Sequence, residues 1–346
     1  MDFRIISSSV LFLILISGCS KKEHTFFDSE INYQSAAVQY EILFDEILMP
    51  RKMRVIDQML LVSDFSNQPP FHVLDVEDDG SLRYIKGVGR EGEQTGEFMM
   101  IEDFIDADSL IYIFDSQQHK LVAFNRELNF IPEEEIHLRG QGRPLTMYGL
   151  SDGKFATIGL FSGERFQLYN RDGEIAGRHG ELVSFDNSFS GRELAVSWYS
   201  FSAIHHDEDI IYLFSSNSDY IEKYRVGNGE LLKTVKGNQH PYPRMNLEMV
   251  EGQTWPVDDG SIYSYLWADS DDRQIYALYS GEMQSGLERF QADKIHILDW
   301  DLNLVAAYEL DHFPFTMAAD GRGGIYTVTH TGEGTVFRNI KFDLSM

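Results

Sequence analysis

A short apolar, β-branched run recurs six times along the chain, in most copies just after an acidic or glycine-containing turn. Four copies carry an Ile-Tyr pair: Ile111-Tyr112, Ile211-Tyr212, Ile275-Tyr276 and Ile325-Tyr326. Leu60-Leu61 and Phe155-Ala156 are degenerate copies. Anchored on residues 61, 112, 156, 212, 276 and 326, the intervals are 51, 44, 56, 64 and 50 residues. A period of this size means that each unit cannot bury its apolar surface alone and must stack on its neighbours.

Each run is followed by a strand, a polar turn and another strand. Examples are Val73-Leu74-Asp75 turning at Asp78-Asp79-Gly80, and Lys223-Tyr224-Arg225 turning at Gly227-Asn228-Gly229. Asp-Gly and Asn-Gly between alternating strands are strong hairpin signals. No segment has convincing helical periodicity. The reading is all-β, a six-bladed β-propeller with four-stranded antiparallel blades. The sixth unit runs out at Ile340–Leu344 without its partner strand, and Tyr40–Phe44 is a period-2 strand that belongs to no unit. Pairing of these two segments closes the ring and removes the open sheet edges that invite aggregation. Sandwiches and barrels give no reason for six matched units.

Charge limits the partners. The chain has 29 basic and 55 acidic residues, a net charge of −26, which argues against a nucleic-acid backbone or an anionic lipid surface as principal ligand. One cysteine excludes an intrachain disulfide framework and any multi-cysteine metal centre. That cysteine follows a short apolar run, Val10 to Ile16, too brief to span a bilayer and shaped like a signal segment. Ile16-Ser17-Gly18-Cys19 resembles the bacterial lipobox, which implies lipidation at Cys19. Ser20 is similar to the outer-membrane sorting choice of Gram-negative lipoproteins, and Lys21-Lys22-Glu23 partly resembles a cell-surface tag. The expected division is residues 1–18 as signal peptide, 19–36 as tether and 37–346 as propeller, with the protein an outer-membrane lipoprotein on the periplasmic or cell-surface side.

Gly87-Val88-Gly89-Arg90-Glu91-Gly92-Glu93-Gln94-Thr95-Gly96-Glu97-Phe98 joins the first and second units. It resembles the connection of the six-bladed propeller lipoproteins of Bacteroidetes, a TolB-like or NHL-like family, with Gln94-Thr95 standing where Gly-Pro is usual. The resemblance implies the fold and an envelope location, and no settled activity. Lactonase-type six-bladed propellers hold calcium in the central channel, and here Glu102 and Asp103 are the inner-strand candidates. A calcium-dependent hydrolase is therefore the alternative reading, and calcium is expected only under it.

The remaining motifs point away from chemistry. Gly87, Gly89 and Gly92 match a dinucleotide pattern, yet nothing after Gly92 is helical and three glutamates follow Arg90. Ser151-Asp152-Gly153-Lys154 is explained by a hairpin turn. His205 and His206 are adjacent on a strand and point to opposite faces, so they do not share a metal ion. The longest unit has its excess around Gly237–Asp259, rich in Pro, His, Met and Trp255, and long loops on a rigid scaffold are where recognition resides. Arg90, Glu97, Arg143, Arg244 and Trp255 all fall in connections between units, which emerge together at one end of a propeller. The expectation is a binding module without catalytic residues or resident cofactor, presenting that face to an envelope protein, peptide or glycan.

Overall fold

A computed structural model describes residues 25–66, 68–250, 253–283 and 291–343. The signal segment and Cys19 lie outside the described residues, as does Leu344. Six sheets form a ring. Blade 1 comprises Pro50–Ile56, Met59–Asp64, Phe71–Val76 and Leu82–Val88. Blade 2 comprises Ile101–Ala107, Leu110–Asp115, Lys120–Phe124 and Ile136–His137; blade 3, Arg143–Gly149, Phe155–Leu160, Glu164–Tyr169 and Ile175–Glu181. Blade 4 comprises Ser200–His205, Ile210–Ser215, Tyr220–Arg225 and Glu230–Lys236; blade 5, Ile262–Ser270, Ile275–Met283, Lys294–Leu298 and Leu304–Glu309. Blade 6 takes Thr316–Ala319, Gly324–Thr331 and Gly334–Lys341 from the C-terminal end and Ala37–Leu43 from the N-terminal end. All pairings within the four-stranded blades are antiparallel, so the first strand of each lines the central channel.

The repeat now has a physical meaning. Ile111, Ile211, Ile275 and Ile325 each pack into the apolar layer shared with the preceding blade. Tyr112, Tyr212, Tyr276 and Tyr326 each pack into the layer shared with the following blade. Strand alternation sends neighbouring side chains to opposite faces, so an adjacent apolar pair serves both interfaces at once. Tyr212 donates its hydroxyl to the Trp300 carbonyl of blade 5 at 3.0 Å, and Tyr326 to the Gly80 carbonyl of blade 1 at 3.0 Å.

Closure by an N-terminal strand holds, with the paired segments running Ala37–Leu43 and Val336–Lys341 rather than Tyr40–Phe44 and Ile340–Leu344. In that pairing Tyr40 faces Asn339 and Leu43 faces Val336. Phe44 lies past the strand, buried against the Phe337 ring at 5.5 Å. A bulge between Val38 and Tyr40 shifts the pairing by one residue within the strand and switches faces: Val38 faces the layer between blades 5 and 6, whereas Tyr40, Ile42 and Phe44 face blade 1. Simple alternation would have put all four on one side.

Two further elements were not expected. The connection from blade 3 to blade 4 carries a helix, Gly191–Ser197, and the long insert before blade 5 forms a hairpin, Met245–Val250 with Gln253–Asp258. Helix and hairpin share a small apolar cluster around Trp198, Leu194 and Phe189. The stretch read as tether is also packed from Thr25 onward. Phe26 and Phe27 sit against the aromatic cluster of Tyr265, Tyr279 and His296, and Gln34–Ser35 adds a short parallel strand to blade 5.

His296 links this segment to the blade, its ring nitrogens lying 2.9 Å from the Tyr33 hydroxyl and 3.1 Å from that of Tyr265. Burial, with Lys294 adding, pushes its pKa down to about 3. An imidazole kept neutral in the fold contributes stability that is complete above about pH 6.5 and lost as pH falls toward 3. His296→Gln should therefore flatten the acid limb of the unfolding midpoint between these values, measured by urea titration at successive pH. Deletions test the N-terminal elements separately. A chain starting at residue 37 should melt several degrees lower, because half-buried Phe26, Phe27 and Tyr33 are lost. A chain starting at residue 46 should lose cooperative melting, because blade 6 then has an open edge and the ring is unclosed.

Candidate functional site

The first strand of each blade points side chains into the channel, and at mid-height those of blades 1, 2 and 5 are charged. Arg54 of blade 1 donates to Asp103 of blade 2 at 3.2 Å and, across the channel, to Asp269 of blade 5 at 3.4 Å. Lys52 lies 3.5 Å from Asp103, with its ammonium 4.8 Å over the Trp267 ring. Burial alone would lower the Arg54 pKa, but Asp103 and Asp269 outweigh it and hold the guanidinium above its ordinary value. At Lys52 burial dominates, with Arg54 adding, so its pKa is lowered despite the two carboxylates.

The same groups tie blade to blade. Asp103 accepts the Met147 amide of blade 3 at 3.0 Å, and Asp269 accepts the Ala319 amide of blade 6 at 3.0 Å. Tyr148 donates to the Ser202 carbonyl of blade 4 at 2.7 Å, and Ser270 donates back from blade 5 to the Ile204 carbonyl at 2.8 Å. A band of buried polar contacts thus runs around the channel wall. Reading the sequence singles out Glu102 and Asp103 but misses Lys52, Arg54 and Asp269. Their signal is nonetheless there: charges at alternate positions, Lys52 and Arg54, inside a strand whose outer neighbours are apolar.

Calcium in this channel does not fit these residues. Asp103 and Asp269 are already met by two fixed cations, and Glu102 is held by Arg51 at 2.8 Å and Ser116 at 3.2 Å. Among the described residues no group of three or more His, Cys, Asp or Glu side chains is placed to hold a metal ion.

The band separates two mouths. One is the turn face, where the first-to-second-strand turns meet; the other is the connection face, where the inter-blade connections emerge. The turn-face mouth is a funnel of about 470 Å³ floored by Arg54 and Tyr148. Seven aspartates line it against two arginines, Arg54 and Arg322. Asp57 and Asp106 are engaged by Arg126, whereas exposed Asp207 and Asp272 carry no hydrogen bond or ion pair among the described residues. Trp300, half-buried, supplies an aromatic wall with its ring 4.3 Å from that of His205. His206 turns toward Tyr148 instead, so the adjacent histidines do diverge. Gly149 has a packing role at this end, since a Cβ there would stand 2.7 Å from Ala107 and the Asp106 carbonyl.

The residues expected to bind lie on the connection face. Arg143 begins the inner strand of blade 3, and its charge acts on Glu102 and Tyr199 at that mouth. Burial pushes the Glu102 carboxyl up, with Arg51 and Arg143 opposing. Arg90 and Glu97 share one loop, in which the Glu97 carboxylate accepts the Gln94 amide at 3.1 Å. The turn holds without Gly-Pro: the Glu97 amide donates to the Gln94 carbonyl at 2.9 Å, and Gly96 takes the left-handed conformation at φ 77°. Arg244 anchors the base of the added hairpin through Ser261 at 2.7 Å, and Trp255 on that hairpin lies under the Arg192 guanidinium at 4.2 Å. Among the described residues no hydrogen bond, ion pair or ring contact joins Arg90, Arg143, Arg244 and Trp255 to one another.

Comparison with known proteins fixes the family. The family described as TolB-like 6-blade propeller-like matches residues 25–320. The chain belongs to the TolB-like six-bladed propellers. Among solved structures, a protein from Bacteroides fragilis NCTC 9343 described as a candidate exported protein is 12% identical, covering 91% of this chain and 95% of its own at a TM-score of 0.52. A DUF4221 family member from Bacteroides vulgatus ATCC 8482 is 9% identical, covering 90% and 99% at a TM-score of 0.56. Virginiamycin B lyase from Staphylococcus aureus aligns at 12% identity over 88% and 99%, with a TM-score of 0.47. Likeness at such identities shows the fold alone. No curated protein matches the chain in sequence.

For this TolB-like propeller the charged band makes a sharp prediction. Asp103→Asn removes one carboxylate from two buried cations and should cost about 3–5 kcal/mol in urea unfolding, the usual consequence of stranding buried charge. Replacing Lys52, Arg54, Asp103 and Asp269 together by apolar residues of similar volume should cost much less.

Proposed function

We propose that this propeller is a lipid-anchored envelope protein acting as a non-catalytic binding module, with a protein, peptide or glycan partner engaged through the turn-face funnel. The observation that supports it most is a contrast within the channel. At mid-height Lys52, Arg54, Asp103 and Asp269 are matched to one another across the wall, while around the funnel Asp207 and Asp272 stand unengaged, with the Trp300 ring, beside about 470 Å³ of space. An ammonium or guanidinium group on a partner would find carboxylates and an aromatic face there. The lipobox-like Ile16-Ser17-Gly18-Cys19 supports the envelope address, and among the described residues no helix is long and apolar enough to cross a membrane. The hydrolase reading has no comparable support, because the channel carboxylates that would hold calcium are taken by Lys52 and Arg54.

Mass spectrometry of the mature protein should show an acylated Cys19, and Cys19→Ala should move the protein to the soluble fraction. A mature chain beginning elsewhere, unmodified, contradicts the anchor. For the binding role, partners retained from envelope extracts should be lost at least about tenfold with Trp300→Ala or with Asp207→Asn combined with Asp272→Asn. If Arg143→Ala and Trp255→Ala weaken retention while the funnel variants do not, the partner docks on the connection face.

A further inference from the structure

The two faces of the ring differ in kind. Among the described residues eleven large hydrophobic side chains are exposed, and the strand directions place eight of them on the connection face and none on the turn face. Leu48, Met49 and Phe65 lie in the sector of blades 6 and 1, at 52–59% exposure, with Phe313 and Phe315 beside them in the connection from blade 5 to blade 6. Tyr242, Met249 and Met283 continue the patch around the added hairpin. The other three, Ile85, Leu231 and Val305, sit on outermost strands. An apolar surface this one-sided marks an interface.

The start of the described chain says what covers it. Thr25 donates to the carbonyl of Lys236, where the outermost strand of blade 4 ends, and Asp28 accepts the Asn238 amide in the connection that follows. The chain therefore enters the fold on the outer rim between blades 4 and 5, with the connection that follows blade 4 on one side and Leu302–Leu304 of blade 5 on the other. Only five residues separate Thr25 from Cys19, a reach of about 20 Å over the six steps when fully extended. We propose that the connection face lies against the lipid bilayer, with Phe313, Phe315, Met249 and their neighbours in the interfacial zone and the acidic funnel turned to the water. The proposal rests on the lipidation of Cys19 in the reading above. Arg143 at this mouth can lay its stem on apolar surface with its guanidinium among phosphates; Arg51 is held by Glu102, and exposed Asp45, Glu46, Glu248, Asp311 and Glu333 share the face, so apolar contact rather than charge carries the proposal. A short tether brings this face, rather than the acidic one, to the membrane, as a module that recruits a partner from solution requires.

The test is hydroxyl-radical footprinting on vesicles of phosphatidylethanolamine and phosphatidylglycerol, with two preparations. One is the naturally processed protein. The other is the chain from residue 19 with its single cysteine coupled to a maleimide phospholipid, which anchors it whatever the natural modification. Relative to the detergent-solubilised protein, oxidation of Met49, Phe65, Met249, Phe313 and Phe315 should slow about threefold or more, while Trp300 and His206 react as before. If only the coupled preparation binds vesicles yet shows this pattern, the orientation stands and natural lipidation fails. Unchanged oxidation on the connection face of anchored protein, or slowing at Trp300 and His206, overturns the proposal. So does slowing on the connection face in native envelope membranes but not on pure lipid, which would mean that a protein covers it.

Discussion

Every blade of this ring is apolar on both of its faces, and a sheet with two apolar faces is stable only when both are covered. The interior strands show it directly: Ile211 packs against blade 3 while Tyr212, the next residue, packs against blade 5. No blade can be omitted without exposing two layers, and no end can be left open. This requirement accounts for the chain's most unusual commitment, the use of Ala37–Leu43 to complete a blade whose other strands lie some 280 residues later. It also explains why so acidic a chain remains compact, since its carboxylates are spread over turns and rims while the six layers between blades are continuous and apolar.

The same requirement determined what could be read from sequence. The Ile-Tyr pairs and the Asp-Gly and Asn-Gly turns are local, so blade number, hairpin order and the need for an N-terminal partner strand were legible. What was not legible depends on distant contacts. The bulge between Val38 and Tyr40 has no local mark, because period-2 alternation looks intact across it, and it turns Val38 to the opposite face from Tyr40. The packing of Phe26 and Phe27 depends on an aromatic cluster built by Tyr265, Tyr279 and His296, far away in the chain. The helix Gly191–Ser197 is too short for its periodicity to stand out and owes its place to packing with the added hairpin. Of the candidate site, the acidic turns were recognised as turns; that four of them, at Asp106, Asp207, Asp271 and Asp320, converge with Asp57 on one funnel follows only from the ring.

The charged band divides the channel into two mouths. Lys52, Arg54, Asp103 and Asp269 use their charges on one another, which locks blades 1, 2 and 5 and leaves the channel without a free acid, base or metal-ligand set at mid-height among the described residues. The two ends of the channel are opposite in character. One is a carboxylate-lined funnel; the other carries the exposed large apolar side chains, with charges of both signs among them. A scaffold with one face for a surface and one for a partner is the simplest use of that asymmetry.

Hydrogen exchange of the native protein tests the closed ring most directly. If Ala37–Leu43 is an integral strand of blade 6, its amides and those of Gly334–Lys341 will exchange together, at the same slow rate as interior strands such as Ile210–Ser215 and Ile275–Met283. Exchange of Ala37–Leu43 by orders of magnitude faster than its partner strand would show a peripheral segment laid on an open edge, and would contradict closure of the ring by the N-terminal strand.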